Sequence, residues 1–224
     1  MLFYLFLFFL IFIEPNNGTA GVIGVTLATL FLLVNIPFRF WAIPLAVFFV
    51  LGGAVAYHLP YVKARLEVYM NPELDLKGKG HQPYQAKIAA GSGGLFGKGI
   101  GNSFQKLSYL PEAQNDYIAA IYAEESGFLG TVFLILAYMI IAYLGFSIAY
   151  CSNSLEACCY GAVITFLISF QAFMNLGVVS GLLPSTGLNL PFFSQGGSSL
   201  MANLMGIGCL LSISKQSLNK EEYV

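Results

Sequence analysis

The sequence has little charge. Only 9% of its 224 residues are charged, whereas soluble globular domains carry about 25%. Hydrophobic residues make up 57% of the chain, which excludes a water-soluble single domain. The ten Lys and Arg residues nearly balance the eleven Asp and Glu residues. The net charge of −1 provides no basic field to attract nucleic acid, so we expect no nucleic-acid partner.

Histidine and cysteine are also scarce, and neither has the spacing of a metal or redox site. The two histidines, His58 and His81, lie far apart and have no matching carboxylate pattern. Of the four cysteines, Cys158 and Cys159 are adjacent, while Cys151 and Cys209 stand alone. Zinc-binding and thioredoxin-like patterns are therefore absent from the sequence.

Long uncharged apolar runs predict an all-α, polytopic membrane protein. About 20 apolar residues in a helix are enough to cross the hydrocarbon core of a bilayer. The longest uncharged run is interrupted in its middle by Pro184, Pro191 and several glycines, which predicts two helices in that part of the chain. The predicted membrane segments, about six in number, are 1–13, 18–38, 40–60, 121–150, 157–179 and 197–213.

Most of the charge lies in one block between the third and fourth of these segments. Fourteen charged residues fall between Lys63 and Glu125. The block predicts a large polar loop, 61–120, with short amphipathic helices such as Gln85–Ala90. It carries seven of the ten basic residues, which the positive-inside rule would place in the cytoplasm, but that rule applies to short loops. The residues alone leave the orientation open.

Six glycines occur between Gly91 and Gly101, with Lys98 among them and Lys106 shortly after. Glycine lets backbone amides approach an anion closely, so a phosphate site is one interpretation. A tight turn between two interfacial helices is the other, and we favour it because glycine is first of all a turn residue.

Three carboxylates lie at the start of the fourth predicted segment: Asp116, Glu124 and Glu125. We predict that Asn115 caps a helix whose first turn holds Asp116. Carboxylates near a helix N-terminus interact favourably with the helix dipole, which would explain all three residues without a catalytic role. Ionisable groups at membrane depth are, however, functional by default, so a catalytic role for Asp116 stays open.

The segment Gly181–Ser199 is uncharged but rich in glycine and proline. Irregular backbone at a membrane must be buried in protein or line a cavity, because lipid cannot satisfy its amides. A simple helical hairpin needs only a few residues. We therefore predict a second loop, 180–196, that lines a site.

Several motifs, in their order along the chain, resemble the SEDS family of multi-span bacterial glycosyltransferases, which polymerise lipid II into peptidoglycan. They are Glu14–Thr19, Asn71-Pro72, Gln82 with Gln85, Gly97–Ser103, Gln105–Asp116, Glu124-Glu125 with Gly127, and Gly181–Ser199. The sequence Leu110-Pro111-Glu112-Ala113 is most similar to that of the division-type FtsW branch of this family.

The resemblance implies a set of site residues. Asp116 matches the family's essential aspartate and would act as general base on the acceptor lipid II. Arg65, Lys98 and Lys106 would stabilise the leaving pyrophosphate. A divalent cation could bridge Asp116 or Glu112 to the pyrophosphate, although no ligand cluster requires one. The other substrate-binding residues implied are Gln82, Gln85, Asn175 and Ser198.

The resemblance also implies topology and partners. The two loops, 61–120 and 180–196, would be extracytoplasmic, and the tail, 214–224, would be cytoplasmic. The second loop would then lie next to Asp116. The expected partners are lipid II, undecaprenyl diphosphate, a class B transpeptidase and divisome proteins, in the bacterial plasma membrane at the division septum. Family members have additional N-terminal helices, so we expect the chain to be incomplete and poorly active alone.

Two other functions remain open from the sequence. A lipid II transporter would need charged groups along its path, and these are few outside the large loop. An inactive scaffold for a class B transpeptidase is the second alternative.

Overall fold

The computed structural model describes residues 17–41, 60–70, 81–103 and 115–221, with isolated positions at 43, 46 and 50. All regular elements within these residues are helices, which confirms the all-α class. The helices with described bounds are α1 (Asn17–Leu33), α2 (Pro60–Met70), α3 (His81–Ser92), α4 (Ile118–Tyr150), α5 (Leu155–Val179) and α6 (Gly197–Glu221). Residues 38–41 and the isolated positions 43, 46 and 50 are also helical. The predicted segment 1–13 and most of 40–60 lie outside the described residues.

Three of the described helices are long and apolar enough to cross a membrane: Ile118–Tyr150, Leu155–Val179 and Gly197–Ser217. Gly18–Leu33 is a shorter apolar helix. It ends five residues before the predicted boundary at 38, because Asn35 has a positive φ of 56° and Pro37 follows. Helix α6 instead continues past the predicted end at 213, as far as Glu221.

Helix α5 is central and contacts α1, α3, α4 and α6. Ser154 caps its first turn, because the Ser154 hydroxyl accepts a hydrogen bond from the Ala157 amide at 3.2 Å. Small residues let α4 and α5 approach closely: a Cβ on Gly145 would lie 2.3 Å from Thr165 Oγ1. Close backbone approach at small residues is how helices associate in lipid, where the hydrophobic effect does not drive their contact.

Helix α4 is interrupted at Gly127, whose φ of 69° and ψ of −165° are not helical. The interruption frees the Glu124 and Glu125 carbonyls and the amides of the next turn from intrahelical bonding. The glycine segment 93–99 supplies their partners. Lys98 N and Gly99 N donate to the Glu124 and Glu125 carbonyls, each at 3.0 Å.

The exchange is reciprocal, since Phe128 N donates to the Gly94 carbonyl at 2.9 Å. A Cβ on Gly97 would lie 2.1 Å from the Glu125 carbonyl oxygen, so only glycine permits this contact. The glycines therefore serve backbone packing against α4. The phosphate-site interpretation is not supported here, because the amides of Gly97, Lys98, Gly99 and Asn102 already donate within the protein.

Candidate functional site

Asp116 lies in a turn formed by residues 115–117, just before α4. The N-cap of α4 is Tyr117, without a side-chain capping bond, and the first helical residue is Ile118. The predicted cap at Asn115 is therefore wrong. The Asn115 and Asp116 carbonyls accept hydrogen bonds from side chains of the second loop and of α5, whereas the Tyr117 carbonyl accepts the first bond of α4.

Asn175, in the last turns of α5, fixes this turn. Its Nδ2 donates to the Asp116 carbonyl at 3.0 Å and to the Leu188 carbonyl at 2.7 Å. The side chain is 2% exposed, and such a buried amide joining two backbone carbonyls contributes more than a surface hydrogen bond. Asn175 thus connects α5, the Asp116 turn and the second loop.

The second loop provides a further bond to the same turn. Ser194 Oγ donates to the Asn115 carbonyl at 2.6 Å and accepts from Leu190 N at 2.8 Å. Residues 180–196 form no helix, and Leu190 and Pro191 are among the fully buried side chains. The loop lies beside Asp116, which is the juxtaposition predicted from the sequence.

The Asp116 turn, α5 and the second loop line a small, partly open pocket. Gly187 comes close to the catalytic candidate: a Cβ there would lie 3.8 Å from Asp116 Oδ2, and its φ of 70° favours glycine. The described residues lining the pocket include no lysine or arginine; they are Asp116, Tyr117, Asn175, Val178, Ser185, Thr186, Gly187 and Leu188.

A second polar cluster lies away from this pocket, beneath the glycine segment. The Glu124 side chain is fully buried and accepts from Lys98 Nζ at 2.7 Å and from Ser103 Oγ at 2.6 Å. Lys98 Nζ also donates to Ser92 Oγ at 2.8 Å. The helix-dipole explanation for Glu124 is wrong, because α4 begins at Ile118 and its first turn contains no acidic residue.

The remaining predicted residues have different surroundings. Gln82 and Gln85 are half-buried on α3. Ser198 is exposed in the first turn of α6. Arg65 belongs to α2, although its side chain is outside the described set, as are Lys106 and Glu112 entirely. The structure therefore brings Asp116 and Asn175 together in the pocket. Lys98 does not line the pocket and instead pairs with Glu124.

Among the described residues, no group of three or more His, Cys, Asp or Glu side chains could hold a metal ion. Sequence reasoning missed Ser194 and Thr186. Both are ordinary polar residues of an irregular loop, and their roles depend on how that loop folds onto Asn115 and the pocket.

Helix α1 supports the second loop through one glycine, and this contact can be tested. A Cβ on Gly18 would lie 2.4 Å from the Thr186 carbonyl oxygen, whereas a Cβ on Gly21 meets nothing within 4 Å. We expect Gly18→Ala to lower the stability by about 1–3 kcal/mol through overpacking. Gly21→Ala should be neutral or stabilising, because alanine favours helix. Apparent melting temperatures in detergent compare them, and equal effects would contradict the contact.

The chain matches the FtsW/RodA/SpoVE family model, described as cell cycle protein, over residues 1–219. It is 42% identical over 92% of its length to a probable peptidoglycan glycosyltransferase FtsW from Alcanivorax borkumensis, of which it covers 54%. It is 39% identical over 94% of its length to the stage V sporulation protein E of Bacillus subtilis, of which it covers 57%. The chain thus spans about half the length of these curated relatives.

A solved structure described as "Structural coordination of polymerization and crosslinking by a peptidoglycan synthase complex" also matches. The TM-score is 0.72 at 26% sequence identity, and the match covers 92% of this chain and 57% of that one.

Proposed function

Because the chain belongs to the FtsW/RodA/SpoVE family, we propose that it acts in a peptidoglycan glycosyltransferase that polymerises lipid II during septal cell-wall synthesis. The observation that carries this proposal is the placement of Asp116 in a pocket walled by α5 and the second loop. The relatives named as probable peptidoglycan glycosyltransferases support the reaction class.

Asp116 is the general base in this proposal. Its carboxylate accepts the proton of the 4-hydroxyl on the acceptor sugar as that oxygen attacks the anomeric carbon of the donor. The bond from that carbon to undecaprenyl diphosphate breaks, and the diphosphate leaves with the bonding electrons. Positioned general-base catalysis contributes about 10²–10⁴-fold. Asn175 holds the base in place through the Asp116 carbonyl.

The leaving diphosphate needs positive charge. Arg65, Lys98 and Lys106 are the proposed groups, and the described contacts of Lys98 weaken its assignment. Lys98 Nζ already pairs with Glu124 at 2.7 Å, so its charge is largely compensated. Arg65 and Lys106 are the stronger assignments.

The same reaction sets the proposed orientation and partners. Lipid II and undecaprenyl diphosphate are the substrate and product, so the loops around Asp116 face the outside of the plasma membrane. A class B transpeptidase that crosslinks the new strands is the proposed partner, supported by the similarity to a synthase complex that coordinates polymerization and crosslinking. The division septum is the proposed location and other divisome proteins are further proposed partners, which the similarity to FtsW-type relatives supports.

Polymerisation of fluorescent lipid II tests the proposed function. The protein, purified from its host at its full natural length and placed in lipid nanodiscs, should form glycan strands that resolve as a ladder on a gel. In proteoliposomes, the protein should not accelerate the transport of labelled lipid II across the membrane relative to protein-free liposomes. Transport without strand formation would replace the proposal with a transporter, and neither activity would favour a scaffold.

A further inference from the structure

Two residues of the Asp116 pocket each have a buried side-chain oxygen without a hydrogen-bonding partner in the part of the chain that the structure describes. They are Asn175 Oδ1 and Thr186 Oγ1. Buried polar atoms in native proteins nearly always have a partner, and an unpaired one costs free energy that a bound donor recovers. The pair therefore indicates a ligand group.

The chemistry of Asn175 is fixed by its own hydrogen bonds. Its Nδ2 donates to the carbonyls of Asp116 and Leu188. Because both partners are acceptors, the amide cannot be reversed, and Oδ1 is available only as an acceptor. Thr186 Oγ1 can accept or donate, and the Asp116 carboxylate is a third oxygen in the same pocket.

Such a group of oxygens would bind the sugar of lipid II and would not bind its diphosphate. A diphosphate offers only anionic acceptor oxygens, which an aspartate and an amide oxygen would repel. A sugar edge offers hydroxyl and amide N–H donors. The pocket is small and partly open, so it can take one polar group at the edge of a larger molecule and not a whole ligand.

We propose that Asn175 Oδ1 and Thr186 Oγ1 bind a hydroxyl or amide N–H group of the acceptor sugar, next to the hydroxyl that meets Asp116. This inference rests on the proposed function: it adds Thr186 as a binding residue and names the acceptor sugar as the group that Asn175 binds. The diphosphate then lies outside this pocket.

Thr186→Val provides the test, because valine keeps the shape and removes only an oxygen that has no described protein partner. The variant should fold as stably as wild type. Its KM for lipid II should rise by about tenfold with kcat little changed, because one hydrogen bond between neutral groups is worth up to about a factor of ten. Thr165→Val is the matched control: its hydroxyl donates to the Gly161 carbonyl inside α5, so KM should not change.

Equilibrium binding of fluorescent lipid II to the same nanodiscs separates this inference from the proposed function. Wild type that binds but does not polymerise would overturn the reaction, and weaker binding by Thr186→Val would still support the subsite. Equal binding and equal KM for Thr186→Val and wild type would overturn the subsite alone. Wild type that does not bind lipid II would overturn both.

Discussion

Asp116→Asn should abolish glycan polymerisation, with a loss of at least about 10²-fold, while lipid II binding and membrane insertion persist. Asparagine is nearly isosteric with aspartate but cannot take the proton of the acceptor hydroxyl. The bond from Asn175 Nδ2 to the residue 116 carbonyl involves the backbone, so the turn should keep its position.

The control for this prediction is Glu156→Gln, the same chemical change at an exposed position in the first turn of α5. It should retain wild-type activity. Both variants are compared in strand formation from fluorescent lipid II and in lipid II binding. Near-normal strand formation by Asp116→Asn would remove the general-base role and leave Asp116 as a charge near the start of α4.

The sequence predicts the helices because their signal is local. Runs of apolar residues long enough to cross a bilayer define α4, α5 and α6, and helix breakers define the loop between the last two. The sequence also indicates that this loop is buried against protein, since uncharged irregular backbone near a membrane needs protein partners. Its position beside Asp116 is predicted only together with the family resemblance.

What the sequence could not predict depends on contacts between distant segments. The glycine segment allowed two interpretations, because glycine permits both anion binding and close backbone packing. The choice follows from the break at Gly127, which exposes carbonyls that Lys98 N and Gly99 N then satisfy. The pairing of Lys98 with Glu124 follows from the same contact and has no pattern in the local sequence.

Lys98→Met should be strongly destabilising, more so than the removal of an exposed charge. It would leave the Glu124 carboxylate, which is fully buried, without its ammonium partner. Removing one member of a buried ion pair costs about 3–5 kcal/mol, and because the Lys98 side chain is 31% exposed we expect the lower end, about 3 kcal/mol. Apparent melting temperature in detergent and resistance to proteolysis measure the loss.

Lys63→Met on α2 is the matched control, because the Lys63–Glu67 pair is 3.9 Å apart and its side chains are 65% and 67% exposed. Its cost should stay below about 1 kcal/mol, as for other surface pairs.

A double-mutant cycle separates the charge pair from simple packing. Glu124→Gln should cost less than Lys98→Met, because the amide oxygen still accepts from Ser103 Oγ and Lys98 remains partly solvated. Adding Lys98→Met to Glu124→Gln should then cost little more, since no buried charge is left unpaired. If Lys98→Met is as mild as Lys63→Met, or if the two effects simply add, Lys98 does not compensate Glu124, and its assignment to the leaving diphosphate becomes as strong as those of Arg65 and Lys106.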